Sequence, residues 1–435
     1  MVLYGFETYG IIKKVHITKK QGSHTIANVE IYVDDDKKLL MLNKHIGQIT
    51  RLEDEKQIYL VGRITNISGS VSYNNNLINI EIISNSLQID KEPKFRVYQS
   101  PDKTFNQVID KISTNNFIIQ ILENEIKNKK ISNVLLQNNE TDFQFLKKVA
   151  ELAECKLFIC DTNKNKALIN IGKCINKTPK IINLESIKQI NFSMNEEKIT
   201  VDFLIKEYFD IGQTVTIEGY DYIIDEVQII EENKEISFYY VASEETFNKY
   251  SNNDMEIASI GLGKIVNNED PDCLGRIQVE LQDVEDCNTG ERMWIQYIPN
   301  MTEKDNGMIF VPDINEMVNV IFQGGSLFAF GCVRKTKISN FDVNKKILNI
   351  KGKRLIFSED SLKLISDKNE VLISNDTTSF KNNKCEVVIK DDVTTIKSGD
   401  TKINIGDKEI QLLSKDKIDV SGNKVIIKTK SLDVG

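Results

Sequence analysis

The stretch GKIVNNEDPDCLGRIQVEL, Gly263 to Leu281, decides how this chain is read. An acidic turn punctuated by Pro271 and Gly275 runs into the alternation Ile277, Val279, Leu281, the period-two pattern of a half-buried strand. Three roles fit such a turn: a metal or catalytic site, a nucleic-acid loop on a small barrel, or a corner that sets the register of the next strand. Its surroundings are short strands: GKIV, GRIQVEL, MWIQYIP and MVNVIFQ fall between Ala258 and Lys335. About five strands in so short a segment predict a small barrel of the OB type. Six Lys/Arg against twelve Asp/Glu in that segment oppose nucleic-acid binding, which depends on cationic partners for phosphate. Trp294, beside alternating Met293, Ile295 and Tyr297 and far from any basic cluster, reads as packing rather than as a stacking platform for bases.

Upstream, residues 1–100 are mainly strands, as in VEIYV, QIYLVGRITNI and LINIEII. The period then changes. Phe105, Val108, Ile109 and Ile112 fall on one helical face behind Thr104 and Gln107, and Phe145, Leu146, Val149, Leu152 and Ala153 do so behind Thr141 and Gln144. Both Thr/Gln pairs have the spacing of a capping box. Strands resume with CKLFICD and continue to Ser243, and the polar segment Glu244 to Glu256 reads as a linker. The expected organisation is a β-barrel at 1–100, a helix-containing insertion at 101–180, a second β-rich domain at 181–250, the central barrel at 258–335 and a final region at 336–435.

That final region has its own rhythm. No proline follows Pro312, and apolar residues pair across one polar position: Leu348/Ile350, Leu355/Phe357, Leu362/Leu364, Val371/Ile373, Val387/Ile389, Ile403/Ile405, Ile410/Leu412, Ile418/Val420, Val425/Ile427 and Leu432/Val434. Adjacent pairs start about eight residues apart, apart from two double-length gaps, a spacing that suits a repeated short strand and turn. Each strand offers two inward side chains, too few for one chain to enclose a broad core. Several copies around one axis, three being the simplest number, would join the pairs into a β-prism. A single-chain β-solenoid is the physical alternative.

These patterns resemble the VgrG-like spike of type VI secretion and the fused hub-and-spike baseplate proteins of contractile phage tails and phage-tail-like bacteriocins. Asp270 and Pro271 match the family's turn, Leu274, Gly275 and Arg276 its strand entry, Trp294 the later strand, and Pro312 and Glu316 the approach to the last apolar strand. The chain departs at Asn315, where the family usually has glycine, and at Gly325, where a Gly-Asp pair is common. Gln137, Glu140, Asp142, Phe143, Phe145 and Leu146 are similar to the family's hub pattern. The resemblance implies a mainly β fold with a small α/β portion: barrel hub domains, an OB-like barrel and an intertwined triple-stranded β-helix. It further implies a homotrimeric, pseudo-sixfold hub that joins an inner tube protein and baseplate proteins to a needle bearing a PAAR-like tip protein or effector cargo. Such a chain is assembled in the cytoplasm and acts in a particle's baseplate against a target-cell envelope.

Composition favours this mechanical reading over chemistry. The formal charge is -8 with seven cysteines scattered along the chain, a poor disulfide framework that points to a reducing compartment. The amino terminus lacks the apolar core of a signal peptide and no run of 18 apolar residues occurs. His16, His24 and His45 lie away from any cysteine, Cys155 and Cys160 lack a second pair to complete a zinc site, and acidic pairs such as Asp391/Asp392 suit solvated turns better than glycosidase catalysis. No enzyme activity, cofactor, metal or nucleic acid is expected. The alternatives are a trimeric receptor-binding tail fibre and a β-helical polysaccharide-degrading enzyme.

Overall fold

The computed structural model describes residues 1–33, 41–70, 76–100, 102–113, 117–163, 167–172, 178–195, 198–244, 257–282, 284–287, 292–298, 302–303, 306–307, 310–333, 342 and 344–433. Residues 245–256 of the expected linker and Val434 of the last apolar pair lie outside them. The chain divides into two compact units, Met1–Arg334 and Lys335–Gly435.

In the first unit β1 (Val2–Leu3), β2 (Ile11–Lys20), β3 (Ile26–Val33), β4 (Ile49–Glu53), β5 (Ile58–Ser70) and β6 (Asn76–Ser84) are followed by an insertion. That insertion holds β7 (Lys94–Tyr98), α1 (Phe105–Asp110), β8 (Phe117–Ile121), α2 (Asn124–Asn128), β9 (Leu135–Glu140), α3 (Asp142–Leu152), β10 (Leu157–Cys160) and β11 (Ala167–Ile171). Strands then return as β12 (Lys180–Ile182), β13 (Gln189–Asn195), β14 (Lys198–Ile205), β15 (Thr214–Ile217), β16 (Tyr220–Glu232) and β17 (Glu235–Ser243).

The two β-rich segments, read from sequence as separate domains, join in one twelve-stranded sheet through β2 and β16. The seam sets Lys20 opposite Glu226 and Lys14 opposite Glu232, so charge as well as backbone pairing selects it. One core serves both halves, with Val15, Ile17, Val29 and Ile80 from the first and Val201, Phe203, Val227 and Tyr240 from the second. A fully buried Lys19 on β2 contributes a polar centre: its ammonium lies 3.0 Å from Asp161 and 3.3 Å from Asp210. In the insertion both capping boxes are complete, Thr104 with Gln107 and Thr141 with Gln144, so the short α1 and α3 begin where backbone donors would otherwise be unpaired. Phe105, Val108, Phe145, Leu146 and Val149 supply the insertion's core.

The central segment contains β18 (Ile257–Asn267), β19 (Gln278–Leu281), β20 (Glu285–Asp286), β21 (Gln296–Tyr297), β22 (Thr302–Glu303), β23 (Asn306–Gly307), β24 (Met317–Gln323) and β25 (Ser326–Cys332). Five of these pair in the order β19-β18-β24-β25-β21. Ile277 and Ile295 then exchange both backbone hydrogen bonds, at 3.0 and 2.9 Å, and so link the start of β19 to the start of β21. The sheet closes on itself, and closure removes its free edges.

The second unit, by itself, is one layer of nine strands in sequence order: β26 (Lys346–Ile350), β27 (Lys353–Phe357), β28 (Ser361–Ser366), β29 (Asn369–Ser374), β30 (Thr378–Asn382), β31 (Cys385–Ile389), β32 (Val393–Ser398), β33 (Thr401–Gly406) and β34 (Ile410–Leu413). Each neighbouring pair is antiparallel. Within the chain, each strand of the ladder pairs with its neighbours in sequence. The reason is local: two- and three-residue turns rich in Asp and Lys return the chain directly onto its own preceding strand.

Candidate functional site

The turn of the opening stretch is organised by one carboxylate. Asp270 accepts the backbone N–H groups of Asp272 (3.1 Å), Leu274 (2.9 Å) and Arg276 (3.1 Å), and the Arg276 guanidinium grips it through Nε (3.1 Å) and Nη2 (2.7 Å). Arg276 also reaches Asp272. Pro271 and Leu274 stay exposed at the tip, Leu274 at 70%. Gly275 takes a φ of +73°, the left-handed conformation that glycine adopts without steric cost. The Asp270 carboxylate and the Arg276 guanidinium are spent on the turn itself, which makes it a corner delivering Ile277 to the barrel core.

Hydrogen bonds from the Arg276 side chain, followed by those from the backbone, hold the Asp270 carboxyl well below the 3.8 of an unperturbed aspartate. A depressed carboxylate pKa contributes stability above its unfolded value and loses it as pH falls through the folded value. Asp270→Asn should therefore lower the thermal midpoint near neutrality. The difference from wild type should shrink steadily between about pH 5 and pH 2, read from midpoints across that range.

The second half of the barrel motif lies close by. Pro312 is buried and its carbonyl accepts from the Asn268 side chain at 2.9 Å, tying the two turns together. Glu316 caps its own turn by accepting from Asp313 N–H at 3.1 Å. Asn315 carries φ +73°, so this departure from glycine keeps the required backbone, asparagine being among the few side chains that tolerate it. At Gly325, with φ +77°, an added Cβ would lie 3.3 Å from Asn133. The hairpin tip is docked there, with Val134 N–H donating to the Gly325 carbonyl at 3.0 Å, which explains the absence of a larger residue. Trp294 is half-buried beside the fully packed Ile295.

Sequence reading missed the attachment of this barrel to the helical insertion. β20 pairs in parallel with β7, and Val97, Val134 and Leu136 of the insertion belong to the barrel's own core with Ile265, Val279, Val318 and Val320. Arg96 bridges the two parts, bonding Glu285 and Asp142 at 2.7 Å each. Asp142, one of the hub-pattern residues, also receives Gln137 at 3.0 Å and Lys94, whereas Phe143, Phe145 and Leu146 are core.

In the second unit the predicted pairs share one face. Directly opposed residues of a sheet point the same way, and the register gives a column Leu348, Leu355, Leu364, Val371, Phe380, Val387, Ile396, Ile403, Leu412. Beside it runs Phe357, Leu362, Ile373, Thr378, Ile389, Thr394, Ile405, Ile410. Ile350 sits on the same face opposite Lys353. Most of these side chains remain about half exposed. On the reverse face Glu370, Lys381, Glu386 and Lys397 lie opposite one another in turn. The ladder stops at Leu413, and Ile418, Val420, Val425 and Ile427 are exposed outside any strand.

A cavity of about 860 Å³ in the first unit is lined by Asp54, Tyr59, Lys188, Glu207, Tyr208 and Phe238 among others. Its lining has no histidine or cysteine, and its hydroxyls are engaged, Tyr59 with Asp54 at 2.7 Å and Tyr208 with Asp210 at 3.0 Å. Among the described residues no group of His, Cys, Asp or Glu is disposed to hold a metal.

Residues 261–331 match the family model of the type VI secretion system/phage-baseplate injector OB domain, in agreement with the closed five-stranded barrel. Among solved structures, the chain is similar to an Escherichia coli component of the type VI secretion system, itself described as similar to bacteriophage T4 tail proteins gp27 and gp5. Identity is 11% and the TM-score 0.54, over 77% of this chain and 99% of that one. It is also similar to chains of the Francisella PdpA-VgrG complex. The lidded form gives 9% identity and a TM-score of 0.55 over 93% of this chain and 76% of that one; the lidless form gives 10% and 0.53 over 93% and 94%. No curated protein matches the sequence. Over most of its length, at low identity, the chain thus has the fold of VgrG and phage-tail spike proteins.

Proposed function

We propose that this chain is the homotrimeric central hub and envelope-piercing spike of a contractile injection machine. The observation that carries the reading is the nine-stranded sheet of the second unit, one layer thick, whose reverse face mixes the charged rungs with Ile356, Leu372 and Val388 and whose other face is apolar along the whole ladder. A single layer cannot bury that face, and a contiguous apolar surface of this extent marks an association site. Three copies would turn their apolar faces inward as three walls, each wall a complete in-chain ladder. The hub would receive the last ring of an inner tube and contact baseplate proteins, and a tip protein or cargo would follow the needle. Assembly would take place in the cytoplasm and action at the target envelope, with the work supplied by contraction and this chain transmitting force.

The purified protein should have three times the 49.7 kDa chain mass in solution, and electron microscopy of the native particle should place it on the axis between tube and tip. A stable monomer would sink the proposal. A trimer found on peripheral fibres would favour the receptor-binding reading instead.

A further inference from the structure

The twelve-stranded sheet and the helical insertion meet at a histidine. His24 stands in the turn between β2 and β3, and its ring is stacked on Phe143 of α3 with centroids 4.1 Å apart. Its Nδ1 lies 2.7 Å from Ser86 Oγ and its Nε2 3.1 Å from Asp90 Oδ2. Both partners belong to the short 3-10 helix Asn85–Asp90 that follows β6. The chain of contacts runs on at each end. Ser86 Oγ is 2.6 Å from Ser84 Oγ, and the other Asp90 oxygen accepts from the Thr141 hydroxyl. Thr141 is the cap of α3, where its Oγ1 accepts the Gln144 N–H at 3.2 Å.

Serine, histidine and aspartate in a row suggest a nucleophile, but Ser86 is fully buried and presents nothing to a substrate. The consequence lies in the hydrogens. A carboxylate only accepts, so Nε2 carries the ring hydrogen, Nδ1 accepts from the Ser86 hydroxyl, and Ser86 accepts from Ser84. Two links, Ser84 to Ser86 and Ser86 to Nδ1, then hold two hydrogens. A proton added at Nδ1 makes three hydrogens for the same two links. One hydroxyl of a fully buried serine loses its acceptor, which opposes the protonated state.

The charged groups that act on the ring are Asp90 from the 3-10 helix and Lys147 from α3. Burial pushes the imidazole below its ordinary 6.5, Asp90 pulls it back up, and Lys147 lowers it again, leaving it depressed. The stabilising contribution of such a group is complete above 6.5 and is lost as pH falls through the lower folded value.

The start of α3 also holds the barrel. Asp142, next to Thr141, receives Arg96 at 2.7 Å, and Arg96 reaches Glu285 of β20 at 2.7 Å. Just beyond, Cys287 N–H donates to the Val97 carbonyl of β7 at 2.9 Å. Two consecutive residues thus face the sheet on one side and the barrel's footing on the other. We infer that the chain Ser84, Ser86, His24, Asp90 and Thr141 is an acid-sensitive latch: one proton taken up at His24 frees the start of α3 from the sheet and loosens the barrel's attachment to the insertion.

The test is hydrogen–deuterium exchange of the full chain at pH 7 and pH 5, corrected for the intrinsic effect of pH on exchange. Peptides covering Gln144 and Phe145, and those covering Cys287, should lose protection by about fivefold at the lower pH. Those from α1, whose capping box contains no histidine, should not change. His24→Gln should remove the pH dependence. The titration of His24 by NMR of histidine-labelled wild-type protein, which has only three histidines, should show a midpoint below 6.5 and needs no variant to fold. Protection that stays level between the two pH values, a pH response that survives in His24→Gln, or a His24 midpoint at or above 6.5 would overturn the latch. Loss at Gln144 and Phe145 without loss at Cys287 would overturn its reach to the barrel.

Discussion

Ile403→Asp combined with Ile405→Asp is expected to abolish the trimer and leave folded monomer. Ile403 and Ile405 stand in the two apolar columns of β33, each directly opposite an apolar residue or a threonine of the neighbouring strands. In an assembly that covers this face, each aspartate would be a charge without a partner, at an effective cost of several kcal/mol per ion. Asn404→Asp supplies the control: it adds one negative charge between them, on the reverse face, where Thr395 and Gln411 are its cross-strand neighbours. Solution mass should fall to that of one chain for the double variant and stay at three for the control, with strand content by circular dichroism unchanged in both. Unchanged trimer in the double variant would show that the apolar face is not the contact.

Lys19→Met should be the most damaging single change in the first unit. The ammonium is fully buried and neutralises Asp161 and Asp210, and its ring contact with Tyr208 is 5.9 Å. Burial opposes the charged form of Lys19, but the two carboxylates outweigh it and raise its pKa well above the ordinary 10.5. Removing one member of a buried ionic group leaves the others uncompensated and costs about 3–5 kcal/mol, a large share of the roughly 5–15 kcal/mol that stabilises a typical domain. Urea unfolding of the full chain measures the loss, and Lys19→Met with Asp161→Asn and Asp210→Asn should recover much of it. Because the folded pKa is raised, the wild-type contribution is complete below 10.5 and is lost only as pH rises through the higher folded value. The wild-type advantage over Lys19→Met should therefore survive into alkaline solution.

What the sequence made legible was whatever depended on near neighbours. The Asp270 turn was readable because acceptor and donors lie within six residues, and the two capping boxes because their partners are three apart. The octad of the last region was readable too. Its two double-length gaps are filled by β30 and β32, whose rungs Thr378/Phe380 and Thr394/Ile396 carry a threonine where an apolar residue was sought. The β2–β16 seam and the Arg96 bridge stayed hidden because they join residues roughly 200 positions apart, where no period connects the partners. Pairing within the chain was concealed for a different reason: apolar spacing reports which face is buried, whereas turn geometry chooses the neighbouring strand.

The shared core of the barrel sets a limit on transplantation. Residues 261–331 bound the segment by family likeness, and a designer would cut there to graft it onto another tail protein. Val97, Val134 and Leu136 would be left behind, and the excised piece would carry a hole the size of three side chains where its floor had been. The portable cassette is the barrel together with β7 and residues 134–140, even though the chain travels through more than a hundred residues between these and the barrel.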